Sequence, residues 1–402
     1  MTEILFWSLV IIIIYTYVGY AAMLWILGVL KSLSSRRKSV SQDPYEPSVT
    51  LLVVSFNEEA WMEKKIRNSF ELEYPAGKLH FLWVTDGSDD GSLDIIKKYP
   101  RIDHIHSPER RGKMAAINRA MQSVHTEIVI FSDANAMLNR QALKKMIPYF
   151  RDSSVGCVCG EKRVIMQNNK VEAANAGEAT YWRYESWLKK QEARIGSCVS
   201  AGGELFAIRR GFFREVAEDT LVDDFVISMQ IALQGYQIQY APEAVAMETA
   251  SASINEEFKR KTRIAAGNLQ AILRMPELLN PFRHGMLAFQ YISHKFLRSF
   301  IAPLCFAALI PVNLLLLPKG RFVYILLIVM QALFYLMACT GYVLRERSLR
   351  SRLFFIPFYI VVMNLSAIVG VFRYLAGKQS VLWEKALRKE ESPEGEDSGE
   401  WS

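Results

Sequence analysis

Chemistry in this sequence concentrates at a few polar positions beside apolar runs. An apolar run ends in Asp133-Ala134-Asn135, within IFSDANAML. Both side chains offer hard oxygen atoms, the ligands that Mg²⁺ and Mn²⁺ take, with waters and substrate phosphates completing the shell. Asn135 brings an oxygen without charge, so Asp133 is the main candidate ligand; the alternative is a cap for a following helix. Asp86 ends another apolar run, in VTDGSDDGS. A buried carboxylate there would accept from a uracil N3–H or a ribose hydroxyl, and a turn aspartate before glycine is the plainer alternative. Lys113 opens a helix after ERRG. A cation at that end opposes the helix dipole, which a bound phosphate would explain and a solvated side chain would not need. Asp223-Asp224 open a second helix, in TLVDDFVISMQIALQG. They are caps, or else Asp224 is a general base within reach of an acceptor hydroxyl, which the helix dipole is expected to keep ionised. Arg260 and Arg263, in FKRKTRIAAGNLQ, come shortly before a long apolar stretch, placed to meet a diphosphate or lipid headgroups or simply water.

Positioning these groups requires a frame. VTLLVVS (49–55) is a β-branched run and reads as a buried strand. NEEAWMEKKIRNSF follows with helical spacing, Trp61, Ile66 and Phe70 on one side. HFLWVTD is a second strand; GSDDGS is a turn, with Ser92 capping a helix over 93–98. IDHIH, GKMAAINRAMQSV and EIVIFSD read as strand, helix and strand. Strands alternating with helices predict an α/β domain with a mostly parallel sheet and helices on both faces. Ligands of such sheets bind beyond the carboxyl ends of the strands. Ser55, Asp86 and Asp133 each fall at such an end, so three polar ends converge on one crevice. Neither Gly-x-Gly-x-x-Gly nor a P-loop follows the first strand. Asn57-Glu58-Glu59 does, and its acids suit the ribose and base of a nucleotide better than its phosphates.

The 402 residues carry a formal charge of +7, and their apolar side chains are unevenly placed. Residues 4–30 contain no charged side chain, and at ~1.5 Å per residue they exceed the ~30 Å bilayer core. Uncharged runs recur at 299–317, 322–344 and 353–372. One such run alone fits a buried helix; their clustering at the two ends predicts membrane spans. The first run is too long for a signal peptide, begins with Glu3 and lacks a cleavage site. Lys31, Arg36, Arg37 and Lys38 follow it, so the positive-inside rule predicts a cytoplasmic middle domain. The basic charge fits a protein at a membrane surface; without a basic helix or aromatic ribonucleoprotein pattern, nucleic acid is not an expected partner. The scattered cysteines read as core residues of a reducing compartment, since Cys157-x-Cys159 is not a zinc spacing.

The expected division is a transmembrane helix (1–31), a basic linker (32–48), a catalytic α/β domain (49–280), an interfacial amphipathic helix (281–298), transmembrane helices (299–376) and a charged tail (377–402). Within the last helices, 353–372 either spans or re-enters, with Asn364 and Ser366 as its polar marks. Arg373, Lys378, Lys385 and Arg388 favour a cytoplasmic tail, which is expected to be disordered from Glu390 onward.

With these residues assembled, the chain resembles family-2 glycosyltransferases of the membrane-embedded polysaccharide-synthase type, the group of cellulose, hyaluronan, chitin-oligosaccharide and poly-N-acetylglucosamine synthases. The resemblance covers about residues 49–267. It is carried by VVSFNEE, TDGSDDGS, GKMAAIN, SDAN, AGGELFAIRR, VDD and RKTRIAAG in that order. It implies a GT-A-like nucleotide-sugar-binding domain flanked by transmembrane helices. Ser55, Phe56, Glu58, Asp86, Lys113 and Asp133 would then bind the nucleotide. Asp133 and Asn135 would hold Mg²⁺ or Mn²⁺, and Asp224 would be the general base. Gly203, Glu204, Asp223, Arg260, Arg263 and Ile264 would meet acceptor or diphosphate. The implied reaction is an inverting displacement from a UDP-sugar onto a growing polysaccharide or oligosaccharide at the cytoplasmic face of a bacterial membrane, coupled to export partners. Three departures stand out: Thr85 and Asn135 replace family aspartates, and Ile264 replaces a tryptophan that stacks on sugar in processive members. Ile264 and the few spans suggest a rival, single addition onto a lipid-linked acceptor. Thr85 and Asn135 suggest another, an inactive scaffold of an export complex. Trp182, Tyr184 and Trp187 supply other aromatic surface, or simply pack.

Overall fold

The structure is a computed structural model and describes residues 1–34, 45–165, 173–249, 253–344 and 352–382. Arg36, Arg37, Lys38, the basic run 345–351 and the tail from 383 onward, including Lys385, Arg388 and the stretch after Glu390, lie outside the described residues.

Strands β1 (Val49–Ser55), β2 (Leu79–Asp86), β3 (Ile102–Ser107) and β4 (Ile128–Asp133) pair in parallel in the order β3-β2-β1-β4. Every residue of β1 is buried, because helices cover both faces of the sheet. Leu51 and Val53 pack with Met62 and Ile66 of α1 (Glu59–Phe70). Leu52 and Val54 pack with Met114, Ile117 and Met121 of α2 (Lys113–Gln122). The sheet continues as β4-β7-β6-β8-β5, with β5 (Met137–Leu138), β6 (Val155–Ile165), β7 (Leu205–Arg209) and β8 (Gln237–Thr249). In this half β6 and β8 are parallel, and the other ladders are antiparallel.

Two local expectations are corrected. The buried stripe of α1 is Met62, Lys65, Ile66 and Ser69, while Trp61 and Phe70 are only half-buried. Ser92 does not cap its helix: it lies inside the helix Ser92–Ile96, and its hydroxyl accepts from the Glu58 N–H at 3.2 Å.

Three further helices frame the site: α3 (Ala173–Ile195), α4 (Asp223–Leu233) and α5 (Ile254–Arg274). Around them stand four helices long and apolar enough to cross a membrane: Thr2–Leu33, Pro281–Leu314, Phe322–Val343 and Leu353–Leu375. The stretch expected as a separate interfacial helix, 281–298, is instead the first half of the second apolar helix. Its only break is at Gly285 (φ 48°, ψ −118°), and a π-helical stretch, Ile292–Ile301, carries it onward. The fourth apolar helix lies along α5. A Cβ on Gly370 would fall 2.4 Å from the Thr262 carbonyl, so only glycine permits this approach. Beyond it the chain returns to the loop that starts α2, with Val381 and Leu382 within 4.0 Å of where a Cβ on Gly112 would stand.

Candidate active site

β2, β1 and β4 end side by side, with Ser55 opposite Thr85 and Val54 opposite Asp133. The loops beyond them are laced together. Asn57 takes a left-handed φ of 53°; its amide donates to Asp89 at 2.7 Å and its carbonyl accepts the Asp89 N–H at 3.1 Å. The Gly91 N–H donates to Glu59 at 3.0 Å. Much of the acidic character of Asn57-Glu58-Glu59 therefore serves to fix the turn. Phe56 lies under the Arg110 guanidinium at 3.6 Å, a flat surface at the crevice rim. Ser55 is buried, its hydroxyl directed to the Val84 carbonyl at 3.4 Å rather than into the crevice.

Asp86 is fully buried. It accepts the N–H groups of Arg111 (3.0 Å) and Gly112 (2.6 Å) and the Arg119 guanidinium (3.2 Å). A carboxylate offers about four acceptor positions. Asp86 thus chiefly pins the loop that starts α2, and a base or ribose is limited to what remains. Gly112, at φ 105°, allows that loop to turn both N–H groups inward.

Lys113 is the first residue of α2. Its ammonium lies 2.8 Å from Asp133 and 3.1 Å from Asp223. Burial works against its charge, but Asp133 and Asp223 outweigh burial and hold it above the ordinary lysine range. Asp133 is pushed up by burial, with Lys113 opposing. No helix follows Asp133: the chain makes a turn into β5, with the Ala136 N–H donating to the Asp133 carbonyl at 3.2 Å. The helix-cap alternative for Asp133 and Asn135 is thereby removed.

Asp224 faces this cluster across Gly203. A Cβ on Gly203 would lie 3.5 Å from Asp224 Oδ2 and 3.7 Å from Asp133 Oδ2. A side chain there would fill the space between the two acids. Asp224 Oδ1 accepts the Phe225 N–H at 2.8 Å. The helix end was expected to keep Asp224 ionised; burial and then Asp223 outweigh it and push the carboxyl up to about 7. Arg263 approaches the same acids: burial lowers its pKa and Asp223 and Asp224 oppose. Its Nε is buried without a hydrogen-bond partner among the described residues, and Asp223 Oδ2 has the Lys113 ammonium at 3.1 Å.

Other expected site residues stand back. Glu204 turns to a buried lysine, Lys162, which also holds Glu248. Against the opposing push of burial, Lys162 holds the Glu204 carboxyl down at about 2. Arg260 is paired with Glu257 at 2.7 Å. The Arg-Arg of AGGELFAIRR lies at the opposite end of the strands, where Arg209 pairs with Ile128 at the start of β4, with Arg209 on Glu127 (2.9 Å) and Arg210 on the Val124 carbonyl (3.0 Å). Thr85, in place of a family aspartate, is buried and bonds His106 at 2.9 Å. Ile264 faces a cavity on the membrane side of α5. Trp187 packs around Tyr20 and Leu24 of the first apolar helix, and Trp182 lies over Lys162.

The sequence reading missed Lys65. It is fully buried, donates to the Ser132 hydroxyl at 2.7 Å, and also donates to the Ala136 carbonyl. Those two residues bracket Asp133-Ala134-Asn135, and Ser132 in turn donates to the Glu204 carbonyl at 3.0 Å. Burial pushes this lysine down to about 7, with Asp133 opposing. The signal was present: 62, 65, 66 and 69 follow the apolar spacing of a helix face.

Among the described residues no group of three or more His, Cys, Asp or Glu side chains is arranged to hold a metal ion by itself. A divalent cation here would need substrate oxygens to complete its shell. Asp223 Oδ2 already lies 3.1 Å from the Lys113 ammonium, while Asp133 would supply a carboxylate and Asn135 a neutral oxygen. This is the hard-oxygen set such ions take, with the remaining positions left to substrate. When bound, the ion supplies Lewis-acid neutralisation of a leaving diphosphate.

Comparison with known proteins identifies the family and the fold. The family described as "Glycosyltransferase like family 2" matches residues 47–267. The poly-beta-1,6-N-acetyl-D-glucosamine synthase of Staphylococcus aureus is 24% identical over 273 residues, 64% of this chain and 65% of that protein. The chain thus spans about two thirds of the length of these relatives. The beta-monoglucosyldiacylglycerol synthase of Trichormus variabilis is 25% identical over 248 residues, 60% of this chain and 53% of that protein. Among solved structures, a mannosyltransferase from Pyrobaculum calidifontis in complex with GDP-Man and Mn²⁺ superposes with a TM-score of 0.69 at 21% identity, covering 94% of this chain and all of that one. That likeness extends the shared fold to the apolar helices as well as the sheet. The match spans more than half of the residues and includes both carboxylate clusters, so the chain belongs to glycosyltransferase family 2.

Proposed function

We propose that the protein transfers a sugar from a nucleotide-diphosphate donor, a UDP-sugar, onto a hydroxyl of a growing glycan at a membrane surface. One observation carries this reading: Asp224, pushed up to about 7, faces Asp133 across Gly203. A base poised near neutrality therefore stands beside the group that would hold the metal and diphosphate. Asp224 takes the proton from the acceptor hydroxyl as that oxygen attacks the anomeric carbon. Lys113 and Arg263 neutralise the charge growing on the departing diphosphate. Phe56 and Arg110 flank the base, and Asp86 holds the loop that presents Lys113. The single displacement inverts the anomeric centre. Mn²⁺ or Mg²⁺ is the proposed cofactor, held by Asp133 with Asn135.

The proposed site is cytoplasmic. Lys31, at the end of the first apolar helix, donates to the Ile195 carbonyl at the end of α3 (2.7 Å), which supports placing the catalytic domain on the basic side of that helix. The chain after the fourth helix returns to Gly112 on the same side, which supports a tail on that side.

The test is a screen of UDP-sugars with the full-length protein in nanodiscs and Mn²⁺. Release of UDP that depends on metal and acceptor is expected. Donor binding without any release would instead favour the scaffold reading. Sizing of the product separates chain extension from single addition.

A further inference from the structure

A cavity of about 360 Å³ lies on the membrane side of α5, within the ~300–1,000 Å³ range of pockets that take small organic ligands. Val222, the residue before Asp223 and Asp224, packs on another face of the same helix. There, a Cβ on Gly267 would meet Val222 at 2.7 Å, and Arg263 approaches both acids. The cavity face carries Lys261, Ile264, Ala265 and Asn268. The same helix therefore carries the cavity wall on one face and Arg263, beside the acids, on another.

The walls come from the first, second and fourth apolar helices as well as from α3 and α5. Ile264, Pro303, Ile356, Ile360 and Met363 make much of the surface apolar. The ionisable lining is Lys261, His294, Lys295 and Arg298 against Glu185, with Glu257 3.8 Å from Lys261 and Glu192 2.7 Å from His294 behind them. Arg298 and Lys295 both reach Glu185, at 2.8 and 3.5 Å, and Arg298 also lies over Tyr181 (5.0 Å) and Tyr184 (5.4 Å). Ionisable groups between apolar helices are costly and mark ligand sites. Basic pockets in this position suit anionic lipid headgroups. A soluble sugar would gain nothing from the aliphatic wall, and a neutral lipid would gain nothing from the cations.

We infer that this cavity seats a membrane amphiphile in which a phosphate-type anion joins a hydrocarbon chain to the saccharide that presents its hydroxyl to Asp224. The inference rests on the transferase reading above and adds the class of acceptor. The chain lies between α5 and the fourth apolar helix, the anion meets Lys261, Lys295 and Arg298, and the saccharide passes Ile264. During transfer the acceptor oxygen forms the new bond to the anomeric carbon, the bond to the diphosphate breaks, and the proton goes to Asp224; the acceptor's own phosphate takes no part.

Three acceptors test this in phosphatidylcholine nanodiscs: a sugar linked to an alkyl chain through phosphate, the same sugar linked directly to the chain, and the free sugar. The phosphate-linked acceptor is expected to have the lowest KM, about 10- to 100-fold below the neutral alkyl glycoside, as befits charge-assisted hydrogen bonds. The free sugar is expected to be poorer still. Lys295→Gln should narrow the gap between the two lipid acceptors. Met363→Trp should fill the cavity and raise KM for both, with UDP–Mn²⁺ binding by calorimetry as the check that the donor side is intact; Ala367→Leu serves if the tryptophan variant does not purify as a single species. Equal use of the free sugar overturns the inference. So does an unchanged KM in a folded filling variant, including the case where that variant only loses a photo-crosslink to phosphatidylglycerol, which would make this a bulk-lipid site. Failure of the wild-type protein to bind UDP at all would overturn the donor reading and the inference with it.

Discussion

The donor half and the membrane half of the catalytic crevice are built on different principles. In the donor half the functional groups sit at the ends of adjacent parallel strands, and their partners lie in neighbouring loops. Asp86 bonds the loop of Gly112, Asn57 bonds Asp89, and Lys113 bonds Asp133. In the membrane half the partners are far apart in sequence. Glu185 on α3 meets Lys295 and Arg298 on the second apolar helix, and Tyr17 on the first meets Asn364 on the fourth at 3.4 Å. The donor half therefore follows from the sheet alone, whereas the membrane half exists only once four apolar helices have assembled around α5. On the proposed function, selectivity for the nucleotide would lie in the first half and selectivity for the acceptor in the second.

Asp224 stands where the halves meet, so its loss gives the largest effect. Asp224→Asn keeps the shape and removes the base. Transfer is expected to fall about 10²- to 10⁴-fold in kcat, the span of general-base contributions, with the UDP–Mn²⁺ dissociation constant nearly unchanged. Comparing single-turnover transfer with calorimetry checks this; normal turnover by the Asn variant would remove Asp224 from the mechanism and leave the two halves without their shared group.

Lys65 tests whether the donor half is as self-contained as its bonds suggest. Lys65→Met keeps most of the volume and deletes the donors to Ser132 and Ala136. Groups that orient metal ligands from behind typically change metal affinity about 10- to 100-fold. Mn²⁺ binding, followed by electron paramagnetic resonance without turnover, should weaken by that amount, and donor KM should rise while acceptor KM stays. A lower thermal midpoint with unaltered Mn²⁺ affinity would reduce Lys65 to a core residue.

Much of the donor half was legible in the sequence because strand, turn and helix are local patterns. β1 to β4, α2 and the polar strand ends were all expected where they lie. The direction a side chain takes was not legible. Ser55, Asp86 and Glu204 occupy motif positions, yet their polar atoms face Val84, the α2 loop and Lys162, partners 29, 26 and 42 residues away. Lys65 escaped because a lysine on an apolar stripe reads as an exposed residue until its two acceptors are seen. In the membrane half the spans were legible from composition, but the continuity of 281–298 with the second apolar helix was not, since the kink at Gly285 and the charges around it read as the end of an element. The family resemblance rested on motif order, which survived even where single residues such as Thr85 and Ile264 departed from it.

The pH profile follows from Asp224. Burial and Asp223 push its carboxyl up to about 7, and the active form of a base is the ionised one. Activity is therefore present above about pH 7 and lost as pH falls through that value. Well below it, kcat/KM should drop about tenfold per pH unit. Asp224→Asn should flatten this limb in whatever transfer remains. A wild-type limb centred near the ordinary aspartate range would show that the acceptor side fails to desolvate Asp224, and with it the idea that the two halves meet at a dry carboxylate.

The smallest effect is expected at Asn135. It contributes an oxygen without charge beside Asp133 and lies at the end of the turn that Lys65 closes. Asn135→Asp adds a formal charge to a cluster that already holds Asp133, Asp223 and Asp224 against Lys113 and Arg263. A divalent cation should then bind several-fold more tightly, in proportion to the added carboxylate. Transfer should change little, because Asp224 is farther along the crevice and faces Asp133 across Gly203. Asp133→Ala gives the reference point, with metal-dependent UDP binding lost. If Asn135→Asp leaves Mn²⁺ affinity unchanged while Asp133→Ala abolishes it, Asn135 reaches the ion only through water. If both leave it unchanged, the ion is not held at this turn, and the donor half binds the diphosphate through Lys113 and Arg263 alone.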